Sequence, residues 1–380
     1  MRVAIVHDWL VTMRGAEQVL TVLAELYPDA DLFTLVHKKG SLSPALEARN
    51  IHTTFLQKLP LSASHYRHYL PLMPTAIESF DLRRYDLVIS SSYCVAKGVV
   101  ADSQAVHVSY VHTPMRYAWE HQHEYFGAGR AGLFTRAVAT VATNYLRMWD
   151  ETSAQRVDRY LANSGYVARR VKKRYGADAE VVYPPVDCDY FRPDPAGPED
   201  YYLMVSGLAP YKRVDLAVQA FARLGRTLIV AGAGQDEKKL RKGVPGNVKF
   251  LGYVPREQLP RLYARARAFV FPCEEDFGIA PLEAMASGRP VIALGRGGAL
   301  ETVTDETGLF FEEQTVDGLC DAVLRFERMQ GDLDPAAARA RALQFDTPVF
   351  RERISSAIGR AWSELHGARR PPLASVRALR

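Results

Sequence analysis

Residues 268–288 read AFVFPCEEDFGIAPLEAMASG, and the reading of this stretch decides the fold. Ala268–Pro272 is a short apolar run ending at proline, the pattern of a central parallel strand. Ile279–Ser287 follows as a short helix, with Pro281 tolerated in its first turn and Gly288 as its stop. A strand feeding a helix sets the helix N-terminus at the strand's carboxyl end, where open α/β sheets bind ligands. Backbone N–H groups of Phe277, Gly278 and Ile279 can there meet an anionic or hydroxylated ligand. Glu275 and Glu283, eight residues apart, are placed to accept hydrogen bonds from sugar hydroxyls. Two glutamates alone would read as a solvated acidic loop beside a helix start. The flanking sequence reverses that reading.

The same alternation runs along the whole chain. Val3–Val6 reads as a strand, a helix runs from Gly15 to about Tyr27, and Asp31–Val36 is a second strand. Asp86–Ser90, His107–Val111 and Arg159–Ala162 repeat the pattern, the last followed by an Asn163-Ser164 cap and a basic helix. The stretch 181–200, VVYPPVDCDYFRPDPAGPED, is rich in proline and aspartate and reads as a linker. Beyond it YYLMVSG, TLIVAGAG, VKFLGY, AFVFP and PVIAL form a second series, and Asp346-Thr347-Pro348 caps a last helix over about Val349–Leu365. Alternating strands and helices imply parallel sheets.

Composition agrees. A chain of 380 residues with 48% hydrophobic content is long enough for two or three cores. No segment approaches the ~20 apolar residues that span a bilayer, and MRVAIVHDWLV reads as a buried strand, not a leader. The four cysteines, Cys94, Cys188, Cys273 and Cys320, are far apart and without metal-ligand spacing, as expected of reduced thiols in a cytoplasmic protein. The net charge of +5 is uneven: Tyr166–Gly176 carries five cations and Arg369–Arg380 four. Such faces are ordinarily solvated; the functional reading is contact with an anionic inner membrane or a lipid-linked diphosphate. No basic–aromatic stripe accompanies them, so no nucleic-acid partner is expected.

Several segments, in order, resemble the retaining GT-B glycosyltransferases of the family-4 type, whose signature is two glutamates separated by seven residues. They are VHDWLVTMRGAEQVL, YDLVISSSYCVAKGV, VHTPMRYAWE, VDRYLANSGYVARRV, VVYPPVDCDYF, APYKRVDLAVQAF and EDFGIAPLEAMASGRPVIALGRGGALETV. The likeness is greatest to the mannosyltransferase-like branch of bacterial O-antigen and exopolysaccharide assembly. It implies two Rossmann-like α/β domains facing each other across a cleft: an acceptor-side domain over 1–190 and a donor domain over 191–348. A helix over 349–367 would cross back to the first domain, ahead of a basic tail over 368–380.

The resemblance also distributes roles. A nucleotide diphosphate sugar would be the co-substrate, with no cofactor and no metal, and a saccharide or polyprenyl-linked saccharide the acceptor. Glu283 would take the ribose hydroxyls and Glu275 those of the donor sugar. Lys212, Arg213 and Gly15 would neutralise the departing diphosphate, Gly15 by close backbone approach at a helix N-terminus. Many relatives carry an arginine five residues before the lysine; here that position is Gly207. His112, just past a strand, would lie near the donor sugar and β-phosphate. Gly232, in VAGAGQDE, would border the nucleotide base; the same run imitates a dinucleotide fingerprint but has Glu237 where a third glycine belongs. Gly298 either approaches sugar or phosphate or makes a tight turn. Asp8 is an acceptor-side carboxylate or a loop cap. Arg116, Tyr117 and Trp119 are acceptor-cleft residues, the aromatic rings serving sugar faces or core packing. The donor base stays open between GDP and UDP, and Gly207 keeps a weakly catalytic nucleotide-sugar-binding scaffold in view.

Overall fold

The computed structural model describes residues 1–119, 133–329 and 331–366, leaving out the side chains of residues 117, 133–139 and 366. The basic stretch 369–380 lies outside the described residues. The chain forms two compact units, Met1–Tyr183 with the chain from Arg351 onward, and Pro184–Phe350.

The first unit holds seven strands: β1 Val3–His7, β2 Asp31–Thr34, β3 Ile51–Thr53, β4 Leu87–Ser92, β5 Val106–Val111, β6 Arg159–Ala162 and β7 Ala179–Val181. They pair in parallel in the order β3-β2-β1-β4-β5-β6-β7. Every residue of β1, β4 and β5 is buried, as expected for central strands covered on both faces. The order reverses between β1 and β4, opening a crevice beyond their carboxyl ends. Helix Thr347–His366 contributes to this unit from Arg351 onward, where Arg351 pairs with Glu25 and Arg360 with Glu180.

The second unit holds β8 Tyr202–Val205, β9 Leu228–Ala231, β10 Val248–Gly252, β11 Phe269–Phe271, β12 Val291–Leu294 and β13 Gly308–Phe311. These are parallel in the order β10-β9-β8-β11-β12-β13, with the reversal between β8 and β11. Its core packs Phe221, Val230, Ile292 and Phe326 between the sheet and flanking helices. From Pro184 onward, the stretch expected to be a linker is instead packed into this unit. Cys188 and Phe191 are buried, and the Arg339 guanidinium donates to their carbonyls at 3.2 and 3.1 Å.

Lys97 shows how a buried charge is held in the first unit. Lys97, 1% exposed, sits 2.9 Å from the Asp150 carboxylate and donates to the Ser153 hydroxyl at 2.9 Å. The second Asp150 oxygen accepts from Trp119 Nε1 at 2.7 Å and from the Tyr175 hydroxyl at 3.0 Å. Burial pulls the Lys97 pKa down, and Asp150 opposes that fall.

His107, on β5, is hydrogen-bonded through Nε2 to Ser90 at 2.9 Å and through Nδ1 to the Arg156 carbonyl at 3.3 Å. Burial holds its pKa down from 6.5 to about 4. Below about pH 6.5 the unfolded chain therefore binds a proton that the folded chain refuses. Stability should decline as pH falls from 6.5 to about 4 and then level off, by on the order of a few kcal/mol from this residue. Urea unfolding of wild type and His107→Gln between pH 7 and 4 checks this; the variant should show a shallower slope.

Candidate functional site

Lys212, Arg213, Glu275 and the 277–279 segment, expected on the donor side, lie in the loops at the reversal point of the second sheet. β8 ends into Ser206 and Gly207, and a single 3-10 turn at Pro210–Lys212 leads to helix Val214–Leu224 through Arg213, whose φ of 52° is left-handed. β11 ends into the loop carrying Glu275, and helix Ile279–Ala286 starts after Gly278, φ 91°. Across the reversal the Lys212 ammonium pairs with the Glu275 carboxylate. Burial would lower the Lys212 pKa, but the adjacent carboxylate overrides it and the net shift is upward. Lys212 stays a cation.

The glycines of this region answer to backbone crowding. A Cβ on Gly298 would lie 2.3 Å from the Phe277 Cα, and one on Gly297 2.4 Å from the Glu275 carbonyl. The Gly298 N–H donates to that carbonyl at 2.8 Å, so the 297–298 loop buttresses the Glu275 loop. Gly232, φ 138°, would drive a Cβ to 1.9 Å from the Ser206 carbonyl, which presses the ends of β8 and β9 together. Phe277 turns its ring inward, 3% exposed, against Phe345. What the 277–279 segment can offer a ligand is therefore backbone N–H, at a helix start with no acidic residue in its first turn.

Glu283 is buried and accepts from the Tyr263 hydroxyl at 2.6 Å. Burial raises its pKa, which the Tyr263 hydrogen bond partly opposes. Tyr263 thus orients one carboxylate oxygen, a partner invisible in the signature itself. Arg213 lies 3.3 Å from Asp215 in an ion pair. Gly207 is exposed and does not have a positive φ, and a Cβ added to it would meet no atom within 4 Å. Packing does not require glycine there. Gly207→Arg should fold normally and, by adding a planar cation just past the end of β8, tighten binding of a diphosphate ligand about tenfold, ~1.4 kcal/mol. Titration calorimetry against wild type measures it.

In the first unit, β1, β4 and β5 deliver His7, Asp8, Ser91 and His112 to the ends of adjacent strands. Gly15 opens helix Gly15–Leu26, and Glu17 in its first turn accepts from the Arg14 N–H at 2.7 Å. Asp8 departs from the acceptor-side expectation. It is fully buried, and its two oxygens accept the N–H groups of Tyr93, Cys94, Val95 and Ala96 at 2.6–3.0 Å. It caps the 93–96 turn and has no capacity left for a substrate. Trp119 is engaged as well: Asp150 holds its indole N–H and Arg174 stacks 4.5 Å from its ring. The buried Asp8 carboxylate and the half-buried Trp119 indole each take a partner inside the first unit. Arg116 is half-buried at the start of the short helix Arg116–Trp119; the Tyr117 side chain lies outside the described residues. His112 is half-buried, with Nε2 hydrogen-bonded to Ser91 at 2.8 Å. Burial first, and His7 second, push its pKa down to about 3, so the ring is neutral.

Sequence reasoning missed Lys97, Asp150, His7, Ser91 and Glu17. A lone lysine inside the apolar run YCVAKGVV was the available signal for the first. Nothing local marked the others. Among the described residues, no three His, Cys, Asp or Glu side chains cluster as metal ligands, and no helix is long and apolar enough to cross a membrane.

Comparison with known proteins agrees with this architecture. Residues 13–190 match the family "Glycosyltransferase Family 4", and residues 190–342 match "Glycosyl transferases group 1". The chain belongs to the GT-B glycosyltransferases of the family-4 type and is mannosyltransferase-like in sequence. One relative is the GDP-mannose-dependent alpha-(1-6)-phosphatidylinositol monomannoside mannosyltransferase of Mycobacterium tuberculosis. It is 36% identical over 192 residues, 42% of this chain and 50% of that protein. Another is the O-antigen chain mannosyltransferase B of Escherichia coli, 34% identical over 158 residues, 38% of this chain and 41% of that protein. The chain thus spans about half the length of these curated relatives, or less. Among solved structures, Anabaena HepE in complex with UDP superposes with a TM-score of 0.70 at 19% identity, covering 95% of this chain and 100% of that one. That likeness concerns the fold.

Proposed function

We propose that the protein is a retaining, metal-independent transferase that moves mannose from GDP-mannose onto a glycan or polyprenyl-linked saccharide in bacterial surface polysaccharide assembly. The observation that carries transfer is the Lys212–Glu275 pair at the reversal of the second sheet, beside an unneutralised helix start. In the ligand-free protein each neutralises the other. An arriving donor offers a diphosphate for Lys212 and sugar hydroxyls for Glu275, so the pair is exchanged for two contacts of the same polarity. Both mannosyltransferase relatives favour mannose, and the GDP-mannose-dependent enzyme of Mycobacterium tuberculosis favours GDP.

In the transfer, the bond from the anomeric carbon to the β-phosphate oxygen breaks, its electron pair leaving with the phosphate. The acceptor oxygen bonds to the same face of that carbon, and its proton passes to the departing phosphate oxygen. Lys212, with Arg213 and the 277–279 N–H groups, stabilises the charge growing on the diphosphate. Glu283, oriented by Tyr263, accepts from the ribose. The exposed cations Arg169, Lys172 and Lys173 on helix Gly165–Tyr175 suit a peripheral contact with anionic lipid carrying the acceptor.

Thermal unfolding with GDP, GDP-mannose, UDP, UDP-glucose and ADP tests the reading. A ligand at 100 times its dissociation constant adds ~2.7 kcal/mol. Selective stabilisation by GDP and GDP-mannose is the expected result; a UDP response would move the donor, and silence from all would overturn the reading.

A further inference from the structure

A row of four side chains in the first unit runs from the start of helix Gly15–Leu26 to His112. Glu17 Oε1 lies 3.5 Å from His7 Nε2, His7 Nδ1 is 3.0 Å from Ser91 Oγ, and Ser91 Oγ is 2.8 Å from His112 Nε2. His7 is 0% and Glu17 3% exposed, and His7 Nε2 is buried with no hydrogen-bond partner, facing only that carboxylate. The other Glu17 oxygen accepts the Arg14 N–H at a helix N-terminus, where an anion is favoured.

Ser91 has one proton to give and two imidazoles beside it, so the direction of the row is an either-or choice. With Glu17 anionic, a bare His7 Nε2 would face a carboxylate, lone pair against lone pair. Turning the proton to Nε2 removes that clash and leaves His7 Nδ1 as the acceptor. Ser91 then donates to His7, and His112 Nε2–H donates to Ser91. We infer that Glu17, acting through His7 and Ser91, is a positioning residue that fixes His112 as the Nε2–H tautomer and leaves its Nδ1 as a bare acceptor. No described residue bonds His112 Nδ1, and it is not among the enclosed polar atoms, so it is open to a ligand. Resting on the transfer reading above, its partner there is a hydroxyl of the transferred sugar, which must donate. A doubly protonated His7, donating to both Glu17 and Ser91, would turn the last bond around and put the proton on His112 Nδ1, which is the outcome that overturns the inference.

The row predicts its own inversion. The amide introduced by Glu17→Gln can still accept from Arg14 through oxygen while its nitrogen donates to His7 Nε2, turning every bond around. Nitrogen-15 spectra of histidine-labelled, ligand-free protein read ring protonation directly, the His112 signal being assigned with His112→Gln. Wild type should show protonated Nε2 and bare Nδ1 at His112, and Glu17→Gln the reverse. In a Ser91→Ala background the Glu17 substitution should leave His112 unchanged. A protonated Nδ1 in wild type, or a His112 signal indifferent to Glu17→Gln, overturns the inference. Because these spectra need no donor, a failed transfer assay would instead overturn only the proposed function.

Discussion

Lys212→Ala is expected to lower the rate of sugar transfer about 10²–10³-fold while the protein stays folded. The ammonium is the group closest in chemistry to what a departing diphosphate needs, and Glu275 beside it keeps it charged. Its absence would be felt most where phosphate charge is greatest, in the transition state, so kcat should fall more than donor affinity. Both side chains are partly exposed, at 20% and 14%, so loss of their ion pair should cost stability little. Lys212→Arg should recover part of the rate, because charge returns but the fork fits the site differently. Single-turnover transfer with labelled donor, alongside a melting curve, separates the two effects. An alanine variant with wild-type turnover would remove Lys212 from the mechanism.

The second large effect is on stability, in the first unit. Asp150→Ala should destabilise the protein by about 3–5 kcal/mol, since it leaves the Lys97 ammonium buried without its counter-ion. It also takes the acceptor from Trp119 and from the Tyr175 hydroxyl. The cost corresponds to a fall of roughly 10 °C in the melting temperature of a domain this size. Lys97→Met with Asp150→Leu should regain much of the loss, because removing both charges avoids the uncompensated one. If Asp150→Ala and the double variant unfold at the wild-type temperature, the pair is not the keystone its burial indicates.

The two parallel sheets could be read directly from the chain. Val3–Val6 of β1 and the strand VIAL are apolar throughout because both faces are covered, and short apolar runs between helical stretches announce that arrangement. The helix at Ile279 was equally legible, through Pro281 near its start and Gly288 beyond its end. The stretch 181–200 was misread because proline and aspartate signal the absence of helix and strand, not the absence of packing. Arg339 and Tyr263, which hold it down through its carbonyls and the Phe191 ring, lie elsewhere in the chain.

Sequence by itself determined the fold class and the place of Glu275 in a loop between a strand's carboxyl end and a helix start, since both are set by local pattern and short connections. Only the tertiary structure decided which polar side chains face each other. Asp8 meets backbone N–H groups 85–88 positions away, Trp119 meets Asp150 across 31, and His7 meets Ser91 across 84. A buried carboxylate, indole or imidazole takes whichever partner folding brings within 3 Å, and that choice depends on strand order and side-chain direction, which no local spacing encodes.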